Sequence, residues 1–146
     1  MEISERVKQL NLPLGHYVVV GGAMEAFGIR KANDLDIVVT KKLFQDLINQ
    51  GWAVCDCDKC KEMIRLGDTK RILKKPGVDI ISEYTWQDKF RAETDDLIKN
   101  AVVINSVPFV KLETLLEWKK AAAREKDLKD IELIKTYLAS ILKKLD

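Results

Sequence analysis

The residues from Tyr17 to Thr40, YVVVGGAMEAFGIRKANDLDIVVT, constrain the chain more than any other stretch, because a glycine pair and a carboxylate pair fall on consecutive elements. Tyr17 to Val20 is a β-branched and aromatic run suited to a strand. It stops at Gly21-Gly22, where a backbone without Cβ atoms can turn sharply and approach a ligand closely. Ala23 to Phe27 suits a short helix whose free N-terminal amides favour an anion beside those glycines. In Asp34-Leu35-Asp36-Ile37-Val38-Val39 side chains alternate faces, so Asp34 and Asp36 leave one face and Leu35 and Ile37 the other. At a rise of about 3.3 Å per residue the two Cα atoms lie about 7 Å apart. Carboxylates so placed can converge on a hard divalent cation.

The flanking residues read as further elements around this centre. Ile3, Val7 and Leu10 recur at helical spacing, and Asn11 to Gly15 breaks that helix before the first strand. Lys41 to Asn49 presents Leu43, Phe44, Leu47 and Ile48 on one helical face and stops at Gly51. From Trp52 the period changes to two. Trp52 to Cys57, Glu62 to Leu66 and Lys70 to Leu73 read as short strands, the last two joined by a turn at Gly67-Asp68-Thr69. Lys74 to Gly77 is a turn. Residues 84 to 98 suggest a helix or loop around Trp86, Phe90 and Leu97, and Ala101 to Val110 a strand or hairpin interrupted by Asn105-Ser106. Two apolar stripes then predict a C-terminal pair of helices, one through Leu112, Leu115 and Leu116 and one through Leu128, Ile131, Ile134, Leu138, Ile141 and Leu145. In the second, Asp127 suits an N-cap and Asp130 the first turn behind it.

Val78-Asp79-Ile80-Ile81 is a strand of buried type that carries one carboxylate. An acid so flanked is costly to bury unless paired, hydrogen-bonded or metal-bound, which makes Asp79 a third carboxylate beside Asp34 and Asp36. The alternative is an edge-strand aspartate facing water. The fold class predicted is α+β of α/β type, a mixed β-sheet with helices packed on it, in a single domain over residues 1–146.

A net charge of +2 makes no case for nucleic acid. No apolar run approaches the roughly 20 residues a membrane span needs, and MEISERVKQL lacks a signal-peptide core, so a cytoplasmic protein without membrane association is expected. All three cysteines fall in Cys55-Asp56-Cys57-Asp58-Lys59-Cys60. A structural zinc site wants four ligands, and the only histidine, His16, is far away in sequence. Reduced thiols are expected, with Cys55 and Cys57 on one face of a strand and Cys60 past a turn. His16 reads as a residue at the strand entry.

Gly21-Gly22, eleven intervening residues, then Asp34-Leu35-Asp36-Ile37 and a further strand aspartate in VDII make a pattern that resembles the nucleotidyltransferase fold superfamily. The C-terminal LLEWKKAAAREKDLKDIELI is similar to the tail of small stand-alone bacterial members such as the AbiEii toxin-like proteins. The resemblance implies transfer of a nucleoside monophosphate from a nucleoside triphosphate to a hydroxyl, by a two-metal mechanism with Mg²⁺ or Mn²⁺. It makes Asp34, Asp36 and Asp79 the catalytic and metal-binding residues. Gly21 and Gly22 would then approach the phosphates, with Arg30, Lys119 and Lys126 as candidate cations. The acceptor, whether small molecule, protein or RNA, is left open, and a partner chain or homodimer mate would complete its site. The alternative of another class is a nucleotide-binding or interaction module of the same fold, such as a toxin-antitoxin component, with little turnover.

Overall fold

A computed structural model describes residues 1–145. Its centre is a seven-stranded mixed sheet. The two middle strands are β1, Tyr17–Gly21, and β2, Leu35–Val39, which pair antiparallel with Val19 opposite Ile37. Val18, Val19, Ile37, Val38 and Val39 are wholly buried, so both faces of this pair are covered. β-branched side chains suit that position because they pack well on a pleated surface.

Around the pair, α1, Ile3–Lys8, buries Ile3 and Val7, and α2, Ala23–Ala26, is a single turn between β1 and β2. Helix α3, Lys41–Asn49, begins at Thr40, whose hydroxyl accepts from the Leu43 amide at 3.3 Å. That hydroxyl also meets His16 Nδ1 at 3.0 Å, so His16 serves the strand entry and the helix cap. On one side of the central pair lie β3, Ala53–Val54, β4, Ile72–Lys75, and β5, Val78–Ile81. β5 runs parallel to β2, and β4 pairs antiparallel with β5 across the Pro76-Gly77 turn. On the other side β8, Val102–Ile104, and β9, Val107–Phe109, form a hairpin turned at Asn105-Ser106, both with positive φ. The strand order is therefore β3-β4-β5-β2-β1-β9-β8. Helices α6, Leu112–Ala122, and α7, Glu125–Leu145, are the C-terminal pair and pack on each other. The α+β class and the helical pair are as the sequence predicts.

Three local readings are corrected. Glu62 to Leu66 is not a strand: Asp58–Arg65 forms helix α4, and Gly67 to Thr69 leads from that helix to β4 instead of joining two strands. The strand expected from Trp52 to Cys57 shrinks to the two residues of β3. Within residues 84 to 98 the expected helix is present around Leu97 as α5, Thr94–Lys99, but Trp86 and Phe90 belong to a separate hairpin of β6, Tyr84–Trp86, and β7, Phe90–Ala92.

Candidate functional site

Alternation along β2 puts Asp36 on the same face as its cross-strand neighbours, Gly21 on β1 and Asp79 on β5. Gly21 is required there by the carboxylate itself. A Cβ on Gly21 would run into Asp36 Oδ2 and lie 2.7 Å from Asp36 Cβ, so only glycine leaves room for the acid. Gly22 answers a different demand. Its φ of +115° is left-handed, and a Cβ would meet Ile3 of α1 at 2.8 Å. The glycine pair therefore seats Asp36 and α1, and α2, at four residues, has too few aligned peptides for a strong anion-binding dipole. Gly21→Ala is expected to force Asp36 out of place and to destabilise the fold by about 1–3 kcal/mol, the usual cost of overpacking. A denaturant titration showing no loss of stability would contradict this.

Asp36 and Asp79 are both shifted by burial and by neighbouring charges. Burial first, then the charges of Asp79 and Asp34, push the Asp36 carboxyl up to about 6, with Lys126 and Lys70 pulling the other way. Burial raises Asp79 as well, opposed chiefly by Lys74, whose ammonium is 3.8 Å from its carboxylate. Lys74 in turn is held charged chiefly by Asp79, against the pull of its own partial burial. Asp34 stands exposed just ahead of β2. Among the described residues the oxygens of Asp34, Asp36 and Asp79 do not all come within 4.8 Å of one another.

Asp34 and Asp36 line a cleft of about 950 Å³, whose far wall is supplied by α6 and α7. Asp79 stands beside this cleft on β5 and is not part of its lining. Two of the cations expected from sequence are already paired. Arg30 donates to both oxygens of Asp130 at 2.8 and 2.9 Å, and Lys119 donates to Asp130 at 2.9 Å and lies 3.7 Å from Asp127. Lys126 is exposed on the cleft wall, and its charge reaches Asp36. Asp127 does not take the N-cap position. It is the third residue of α7, within the first turn, and accepts the Arg124 backbone N–H at 3.1 Å, while Arg124 Nε donates to it at 2.7 Å. Asp130 spends its oxygens on Arg30 and Lys119 instead of on the helix start.

A second wall is not visible in the sequence. Lys70, only 6% exposed, donates to the Thr85 carbonyl at 2.9 Å and is 3.5 Å from Asp68. Tyr84 stacks on Trp118 with ring centroids 5.7 Å apart, and the Arg124 guanidinium lies 5.3 Å from the Trp118 ring. The Tyr84 hydroxyl is buried and has no hydrogen-bond partner, although Tyr84 lines the cleft. An orphaned buried hydroxyl is costly, so a ligand that accepts or donates there would gain from it. The residues involved are scattered from position 68 to position 124, but the alternating Tyr84-Thr85-Trp86 could have marked the strand.

No model of a known protein family matches this sequence, and no curated protein matches it. Among the described residues no helix is long and apolar enough to cross a membrane.

Proposed function

We propose that this protein transfers a nucleoside monophosphate from a nucleoside triphosphate to a hydroxyl acceptor, with pyrophosphate leaving. The observation that carries the reading is the direct pairing of Asp36 with Asp79 on adjacent parallel strands, charge-coupled to Asp34, beside a cleft walled by lysine and arginine. Burial and neighbouring carboxylates raise Asp36, burial raises Asp79, and a bound cation would relieve both. Asp34 and Asp36 would bind Mg²⁺ or Mn²⁺, with Asp79 as the third ligand. Bound there, the metal supplies Lewis-acid charge for the triphosphate and for the acceptor hydroxyl. Asp79, with its raised pKa, is suited to accept the hydroxyl proton. Lys126, together with the Arg30–Asp130–Lys119 group, meets the phosphates, and the half-buried Trp118, backed by the buried Tyr84 ring, offers the nucleobase an aromatic contact. Gly21 contributes by seating Asp36 and Gly22 by fixing the turn behind it. The acceptor is a small molecule, protein or RNA brought to the open side of the cleft, alone or with a partner chain.

A second reading, a nucleotide-binding or interaction module with little turnover, is favoured by one observation: Lys74 already pairs with Asp79. The transferase and a nucleotide-binding module both require triphosphate to bind, whereas a pure interaction module does not. Mg²⁺ or Mn²⁺ with a triphosphate at a hundred times its dissociation constant is expected to stabilise the fold by about 2.7 kcal/mol. Differential scanning fluorimetry reads this as a raised melting temperature, lost in the Asp34→Asn, Asp36→Asn double variant. Equal shifts in the two proteins would remove the metal assignment.

A further inference from the structure

The outer corner of the sheet holds a second group of ligating side chains. β3 is two residues long, and the chain leaves it at Cys55, whose amide still donates to the Ile72 carbonyl at 2.8 Å. It then enters α4 with Cys57 at the N-cap and Cys60 in the first turn, one side held by the sheet edge and the other by the helix. This corrects the expectation that Cys55 and Cys57 share a strand face apart from Cys60. The three Sγ atoms all lie within 4.8 Å of one another. Cys60 is buried, Cys55 half-buried and Cys57 exposed, so an ion has access from one side.

We propose that Cys55, Cys57 and Cys60 bind one zinc ion through three thiolates, with its fourth position open to solvent. Sulfurs about 2.3 Å from a tetrahedral zinc sit about 3.8 Å from each other. The thiols therefore need to draw in by about an ångström at most to reach that geometry. The requirement for four protein ligands belongs to closed structural sites; three protein ligands and a water is the arrangement of open ones. Sulfur donors select a soft or borderline ion over magnesium, so this site and the aspartate cleft do not compete for the same metal. A disulfide would join two of the thiols and leave the third unused, whereas one ion engages all three. Zinc with three thiolates carries a charge of −1, which the Lys74 ammonium, paired with Asp79 at 3.8 Å and within reach of charge on the sulfurs, would help to offset. The ion would fasten the end of the edge strand β3 to the start of α4, a corner in which only Cys60 of the helix is buried.

The test uses the full chain, reduced and stripped of metal by a chelator, then titrated with zinc chloride against a chromogenic zinc indicator. One equivalent per chain is expected. Each of Cys55→Ser, Cys57→Ser and Cys60→Ser should weaken binding by at least the roughly tenfold that loss of even an outer-shell partner costs. Cadmium in place of zinc should give a sulfur-to-metal charge-transfer absorption that the serine variants reduce. In the unaltered protein, zinc should slow alkylation of all three thiols, a readout that stands even where a variant folds poorly. Unprotected thiols in the presence of zinc would overturn the proposal. So would zinc binding that survives the triple serine variant and is lost in Asp36→Asn.

Discussion

Asp127→Ala is expected to destabilise the protein by about 3 kcal/mol, the lower end of what removing one partner from a buried ion pair costs. Asp127 is fully buried and holds the Arg124 backbone N–H, the Arg124 guanidinium and, at 3.7 Å, the Lys119 ammonium. Alanine would remove the acceptor that secures the start of α7 and leave two cations facing each other at the junction of α6 and α7. Lys119 keeps Asp130, which is why the larger figures for an abandoned buried charge do not apply. Ala123, at the end of α6, has a φ of +49°, so the chain turns sharply there and depends on the first turn of α7 to hold it. Asp127→Asn retains an oxygen for the Arg124 amide and should lose less. Urea unfolding monitored by circular dichroism measures both variants, and a loss below about 1 kcal/mol for Asp127→Ala would place this network with ordinary surface ion pairs.

Elements whose character is decided by near neighbours are legible in the sequence. β1, β2 and β5 alternate or run apolar in short stretches, and the order of glycine pair, Asp34, Asp36 and Asp79 follows from them. The register that sets Asp36 beside both Gly21 and Asp79 is a property of three strands, and no single segment contains it. Helix α4 is legible in part, since Cys60, Met63 and Ile64 recur at helical spacing; a period of two over Glu62 to Leu66 passes over this, and only Cys60 of the three is buried. The β6–β7 hairpin lacks a turn signature because Gln87 adopts the positive φ that glycine or asparagine would normally announce. Asp130 looks like a helix-start residue because capping is local, whereas its partner Arg30 is a hundred positions away. Lys70, Tyr84 and Trp118 go unmarked for the same reason: a lysine over tryptophan rings is made by tertiary packing.

Removal of any one of the three aspartates is expected to abolish nucleotidyl transfer, because groups that hold a metal cluster act as a unit and their losses are not additive. The most direct measurement incubates the protein with an α-labelled nucleoside triphosphate, Mg²⁺ and cell extract as a source of acceptors, and follows label onto any product. The unaltered protein should transfer label, and Asp34→Ala, Asp36→Ala and Asp79→Ala should not. Asp79→Asn separates the two readings of the site. As third ligand and proton acceptor, Asp79 can be lost with triphosphate binding kept and transfer gone; as a strand residue paired only to Lys74, it can be lost with both intact. Transfer by the unaltered protein that disappears in Asp79→Asn, with binding retained, is the predicted result. Tight binding of metal and triphosphate by the unaltered protein with no label moved to any acceptor would contradict the assignment as a transferase and leave a binding module in its place.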